Sequence, residues 1–222
     1  KDSGTRAIVI VENFAHSLQQ VLGKTTVKHV ITTQIGDMLP APKRWLINFA
    51  IKHVKKMVPA WHIDGAITLA SALKRGSSAR FNPVDVKNED IAFLQYTGGT
   101  TGVAKGAMLT HRNILANLEQ TGIWISVSFK EGAEIVIAPL PMYHIFAFVV
   151  NCLAMMSYGS MNILVVNARD VKSVIKEFKN HKITVMTGVN SLFNVLLHEK
   201  EFLALDFSHL KVAVGGAMAI QR

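Results

Sequence analysis

Between Tyr96 and Gly106 the chain reads Tyr96-Thr97-Gly98-Gly99-Thr100-Thr101-Gly102-Val103-Ala104-Lys105-Gly106, four glycines, three threonines and a lysine in one run. Glycines let a backbone turn its N–H groups inward around an anion, threonine hydroxyls add donors, and a lysine supplies a compact positive charge. The chemistry suggested is the holding of phosphate. The flanks read as a short apolar strand, Ile91 to Tyr96, and a helix capped by Thr110 that carries Ile114, Leu115 and Leu118. A helix N-terminus close behind such a loop adds its own anion-favouring dipole. The spacing is not that of a P-loop, because Val103-Ala104 separates Gly102 from Lys105 and Gly106 follows the lysine. It does not fit the dinucleotide pattern G-x-G-x-x-G either. Taken alone, a ligand-free Gly/Thr surface turn remains the competing reading.

Two further segments bear on that choice: Ala138-Pro139-Leu140-Pro141-Met142-Tyr143-His144-Ile145-Phe146 and Val214-Gly215-Gly216-Ala217-Met218. Together with the loop, and in this order, they resemble the three motifs of the adenylate-forming enzymes. Within that superfamily the chain is similar to the bacterial long-chain fatty acid CoA ligases over essentially its whole length. The loop departs from the usual motif at Gly98, where a hydroxyl residue is the norm, and at Ala104, where proline is the norm. One phosphate donor is thereby lost and the turn before Lys105 is less stiff.

The resemblance implies a reaction. A fatty acid carboxylate attacks the α-phosphate of Mg-ATP to give an acyl-adenylate and pyrophosphate, and the thiol of CoA then displaces AMP. It implies roles as well. The nucleotide would be held by Tyr96, Thr97, Gly98, Gly99, Thr100, Thr101, Gly102, Val103, Ala104, Lys105, Gly106 and Ala107, with Thr101 and Lys105 acting on the departing pyrophosphate and Thr97 as ligand to Mg2+. Gly215, Gly216 and Ala217 would lie along the adenine, His144 would face the carboxylate, and Gly188 and Val189 would wall the acyl chain. Each residue also has a plain structural alternative: a solvated loop lysine at Lys105, a turn histidine at His144, an ordinary strand-to-helix connection at Gly188-Val189. Activation of an aryl or amino acid is the runner-up chemistry, and a noncatalytic membrane-binding module that retains the nucleotide fold is the alternative from another class.

By the same resemblance, family members are more than twice as long. A Tyr-Gly-x-Thr-Glu motif, a ribose-binding aspartate and a small C-terminal domain with its catalytic lysine would lie beyond Arg222. The expectation is a piece of the large N-terminal domain that forms no thioester on its own. The resemblance also admits a homodimer and puts the enzyme in the cytoplasm, attached peripherally to the inner membrane.

The elements that must position these residues follow from periodicity. Strands are expected at Ala7 to Val11, Val27 to Thr33, Ile91 to Tyr96, Glu134 to Ala138, Met161 to Val166, Ile183 to Thr187 and Lys211 to Val214. Helices are expected at His16 to Leu22, Thr110 to Gln120, Ile145 to Ser157, Val171 to His181 and Ser191 to His198. The alternation argues an α/β fold with a mainly parallel sheet covered by helices, ligands sitting beyond the carboxyl ends of its strands. Three parts are expected: a βαβ piece at 1–36, a basic amphipathic insertion at 37–81 and the loop-bearing α/β part at 82–222.

The insertion carries a second signal. On a helical wheel Leu46, Ile47, Ala50, Ile51, Val54, Met57 and Val58 share one arc, and Arg44, Asn48, Lys52, Lys55 and Lys56 the other. Such a helix suits an anionic membrane surface, and equally a helix packed on its own domain with a solvated lysine face. Ile135 to Ala168 contains no Asp, Glu, Lys or Arg, but Pro139, Pro141 and Gly159 cut it into pieces too short to span a bilayer, so a buried β-α-β unit is expected. The formal charge of +9 finds no nucleic-acid-binding pattern to go with it, the nine histidines show no metal-ligand spacing, and the single Cys152 excludes a disulfide framework.

Overall fold

A computed structural model describes residues 3–97, 105–167 and 169–217. The chain divides into two units, residues 1–85 and 86–222.

In the first unit, β1 (Ala7–Val11), β2 (His29–Thr33) and β3 (Ile67–Thr68) form a parallel sheet in that order. Helix α1 (Ala15–Leu22) places Leu18 against Val30 and Ile63 to make a small core. β3 lies inside the stretch read as an insertion and completes this sheet. Helix α2 (Lys43–Phe49) continues as a wider π-helical turn, Ala50–Val54, and stops at Lys56, whose φ of 49° is left-handed. Met57 and Val58 therefore fall outside the helix expected of them. Helix α3 (Leu69–Ser77) starts on Thr68, whose hydroxyl accepts from the Ser71 N–H at 3.2 Å.

The second unit begins with an antiparallel hairpin, β4 (Ile91–Thr97) and β5 (Lys105–Thr110), not with a lone strand. Helix α4 (His111–Ile125) follows at once, and Thr110 caps it as expected: its hydroxyl accepts from Asn113 N–H while Asn113 Oδ1 accepts from Thr110 N–H. Next come β6 (Ile135–Ala138), a continuous helical stretch, β7 (Met161–Leu164), α7 (Val171–Asn180), β8 (Val185–Gly188), α8 (Asn190–Leu197), α9 (Lys200–Leu203) and β9 (Val212–Gly215). The helical stretch comprises α5 (Ile145–Ala147), a π-helical segment at Phe148–Ala154 and α6 (Met155–Ser157).

β6 to β9 make a four-stranded parallel sheet in the order β7-β6-β8-β9. Alternation along the strands assigns its two faces. Val136 and Val185 pack with Ile125, Phe129, Ala154 and Met155 on one side, whereas Ile137 and Met186 pack with Val174, Ile175, Leu192 and Leu196 on the other. Both faces are thus covered, which is why the strands read as unbroken apolar runs. The chain leaves β6 for β7 on one side and returns to β8 on the other, so the order reverses between β6 and β8. Beyond their carboxyl ends the two following loops diverge and leave a crevice.

Candidate functional site

The loops that diverge at this crevice are those singled out in the sequence. β6 ends at Ala138 and runs through Pro139 to His144, the N-cap of α5. His144 Nδ1 accepts a hydrogen bond from the Phe146 N–H at 3.3 Å, so in the neutral ring the proton sits on Nε2, and the side chain is exposed. β8 ends at Gly188, which pairs with Gly215 of β9, and Gly216 N–H donates to the Gly188 carbonyl at 3.2 Å. Phe146 closes the contact between the two motifs. A Cβ on Gly216 would lie 2.7 Å from the Phe146 ring, so any other residue there would force the ring to shift. Ala217, directly after, has a φ of 68°, a conformation that costs an alanine about 1–2 kcal/mol. Strain of this kind is held where the surrounding structure demands it, commonly at binding sites.

The hairpin joins this assembly through Phe93 of β4, whose ring meets Phe148 edge to face at 4.8 Å between centroids. Across the hairpin Thr97 pairs with Lys105, and Tyr96 pairs with Gly106, where the Tyr96 ring occupies the space a Cβ would take. Lys105 is exposed and Ala107 pairs with Gln95. Gly98, Gly99, Thr100, Thr101, Gly102, Val103 and Ala104 lie outside the described residues, as do the Thr97 side chain and Met218. The motif is therefore carried by an antiparallel hairpin, the last four residues of β5, Ala107 to Thr110, separating it from α4, and not by the carboxyl end of a parallel strand. The helix N-terminus expected close behind the loop is kept away by β5.

Two mainly apolar cavities flank the crevice. One, of about 480 Å3, is lined by Pro139, Pro141, Val189, Ser191 and Leu192 among others. The other, of about 490 Å3, lies between α4 and the helical stretch, with Leu109, Ile114, Ile145, Phe146 and Val149 in its walls. Gly188 opens into neither by its missing side chain, because the Phe193 ring fills that space at 2.7 Å. Phe146 and Phe193 lie within the segments singled out in the sequence, but nothing there pairs either aromatic with a glycine. Their signal was an aromatic placed beside a glycine motif, which gains meaning only once the partner glycine is known.

Among the described residues no group of three His, Cys, Asp or Glu could hold a metal ion. A Mg2+ ion arriving on a polyphosphate would need few protein ligands, since this ion keeps most of its waters.

The charged groups farther off are structural. Glu134, at the opposite end of β6, has a fully buried side chain whose Oε1 accepts from the Lys130 N–H at 2.8 Å and from the Lys211 ammonium. Burial pushes this carboxyl up, but the Lys130 N–H, Lys211 and the Thr184 hydroxyl outweigh it and hold it below the usual glutamate range.

The family described as AMP-binding enzyme matches residues 1–222. The chain is 51% identical over 220 residues to a long-chain-fatty-acid–CoA ligase of Salmonella typhimurium, covering 99% of this chain and 39% of that protein. It is also 51% identical over 221 residues to the Escherichia coli O157:H7 protein of the same name, covering 100% and 39%. The chain thus spans about two fifths of the length of these curated relatives. Among solved structures, a long-chain-fatty-acid-CoA ligase from Archaeoglobus fulgidus superposes with a TM-score of 0.68 at 24% identity, over 100% of this chain and 38% of that one. At that identity the likeness concerns the fold.

Proposed function

Because the chain belongs to the AMP-binding enzyme family, we propose that it carries the nucleotide and acyl site of an enzyme that activates a long-chain fatty acid with ATP and transfers it to CoA. The carboxylate oxygen attacks the α-phosphorus of ATP and pyrophosphate leaves. The CoA thiolate then attacks the acyl carbon, and AMP departs with the oxygen that bridged it. The observation carrying this reading is the physical junction of two motifs at the sheet's switch point, Phe146 seated on Gly216 beside the Gly216–Gly188 hydrogen bond.

In this proposal Lys105 and the residues from Thr97 to Gly102, Thr101 among them, hold the β- and γ-phosphates and stabilise the charge on the departing pyrophosphate. Mg2+ bound with ATP neutralises phosphate charge, and the Thr97 hydroxyl is the group this chain would offer it. Gly215, Gly216 and Ala217 flank the adenine. His144 presents its exposed Nε2 edge to the acyl carboxylate. Gly188 and Val189 form the neck of the acyl site.

Incubating the complete gene product with ATP, CoA and a panel of fatty, aryl and amino acids tests the reading. AMP release is expected with long-chain fatty acids. Release with an aryl or amino acid instead would support the runner-up, and release with none would sink the proposal.

The proposal extends to docking of the first unit on the inner membrane from the cytoplasmic side. No helix among the described residues is long and apolar enough to cross a membrane. What supports surface docking is the orientation of α2. Asn48 accepts from Gly36 N–H and donates to Asp37, and Lys52 pairs with the buried Glu12 at 2.8 Å while its own side chain stays exposed; Trp45, Leu46, Phe49 and Val54 are exposed as well. The pair is kept because a buried carboxylate needs its cation.

A further inference from the structure

Within the helical stretch that begins at His144, Asn151 interrupts the apolar run from Phe146 to Met156, and it is completely buried. Its Oδ1 lies 3.1 Å from the Thr187 hydroxyl, which is also fully buried and lies 3.4 Å from the Ile137 carbonyl oxygen. The Asn151 carbonyl oxygen, within the π-helical segment, accepts from Asn162 Nδ2 at 3.0 Å. Asn151 Nδ2 finds no hydrogen-bond partner among the described residues. A half-satisfied carboxamide buried in a helix is a poor device for stability, because a leucine of similar size would leave no orphaned donor. It is a good device for location. Wide π-helical turns frequently occur at functional sites, and here the turn puts Asn151 opposite Thr187, the residue before Gly188.

The same helix bears on the site at two other points. Its first turn seats Phe146 on Gly216, and Ile145, Phe146, Val149 and Val150 line the cavity of about 490 Å3. An acyl chain with its carboxylate at His144 has this apolar wall within reach, and long and short chains meet it to different depths. We propose that the Asn151–Thr187 hydrogen bond is a positioning device that fixes this wall, and the His144–Phe146 end with it, against β8, and so sets acyl-chain selectivity. The inference rests on the fatty acid reading above.

The test uses the complete gene product and measures kcat/KM for palmitate and for octanoate, together with Tm. In Asn151→Leu and in the isosteric Thr187→Val the palmitate-to-octanoate ratio is expected to shift at least fivefold, with a raised KM for palmitate. Tm should be unchanged or higher in Asn151→Leu. The double variant should shift the ratio no further than either single one, and Thr187→Ser, which keeps the hydroxyl, should restore it. Ile175→Val, on the buried face of α7, should lower Tm and leave the ratio alone. A ratio unchanged in both single variants, or effects that simply multiply in the double variant, would overturn the inference. If Asn151→Leu does not fold, Thr187→Val and Thr187→Ser decide alone. Absence of fatty-acid-dependent AMP release in the unsubstituted protein would instead count against the functional reading.

Discussion

At the scale of single residues, Lys105 and His144 separate chemistry from structure differently. Lys105 is the exposed first residue of β5. If it steadies the departing pyrophosphate, Lys105→Ala should lower kcat/KM for ATP by about 10²–10³, the usual cost of one preorganised electrostatic donor. Steady-state AMP release checks this, and activity within twofold of the unsubstituted enzyme would return Lys105 to a solvated surface role. His144 has a structural part to play whatever its chemistry, because its Nδ1 caps α5. His144→Ala should therefore cost about 1 kcal/mol of stability along with activity, whereas asparagine, a good N-cap, should keep the stability. Loss of fatty acid activation in His144→Asn at unchanged Tm would assign the imidazole to the substrate; full activity would assign it to the cap. Lys105 and His144 stand out in the sequence because their types and order are unusual. Asn151 was not, because a lone amide in an apolar run acquires a role only when Thr187, distant in sequence, is brought beside it.

Among the elements, the parallel sheet and its covering helices could be read from the chain because apolar runs of strand length alternate with amphipathic stretches. β5 could not. Lys105-Gly106-Ala107-Met108-Leu109-Thr110 lacks the period-two pattern and the branched residues of a strand, and it is held by its partner β4 rather than by its own propensity. The Lys52–Glu12 ion pair was equally hidden, since the wheel cannot show that Glu12 is buried and needs a cation. The far end of β6 offers a measurable consequence of such burial. Glu134 titrates below the usual glutamate range in the folded state, so the stability it contributes is complete above the unfolded glutamate pKa and is lost as pH falls through the lowered folded value. Acid unfolding of Glu134→Gln, followed by circular dichroism, should show a weaker pH dependence in that range. Lys211→Met, which strands the buried carboxylate, should cost about 3 kcal/mol at neutral pH. Identical acid transitions for Glu134→Gln and the unsubstituted protein would refute this account of the pair.

For the whole molecule, the net charge of +9 meets two classes of polyanion in this account, the nucleotide substrates at the crevice and a membrane surface at α2. The two are separable. Lys43 and Lys55 stand on the exposed side of the helix with Trp45 and Phe49. Each basic residue near anionic headgroups contributes about 1 kcal/mol, an attraction that salt weakens. Sedimentation with phosphatidylglycerol-containing vesicles should retain the complete protein at low salt, and Trp45→Ser with Phe49→Ser should release it without altering AMP formation from a detergent-dispersed fatty acid. Undiminished sedimentation of that variant would place the contact elsewhere.

The central claim is that a fatty acid carboxylate attacks the α-phosphorus of ATP at the site built on Lys105, His144 and Gly216. The most direct measurement follows the attacking oxygen: the complete gene product is supplied with palmitate carrying heavy oxygen in its carboxylate, together with ATP and CoA, and the products are weighed by mass spectrometry. Acyl-adenylate chemistry predicts one heavy oxygen in AMP, none in pyrophosphate, and palmitoyl-CoA formed in equal amount. Heavy oxygen in inorganic phosphate with ADP as coproduct, or AMP formed without label, would contradict it.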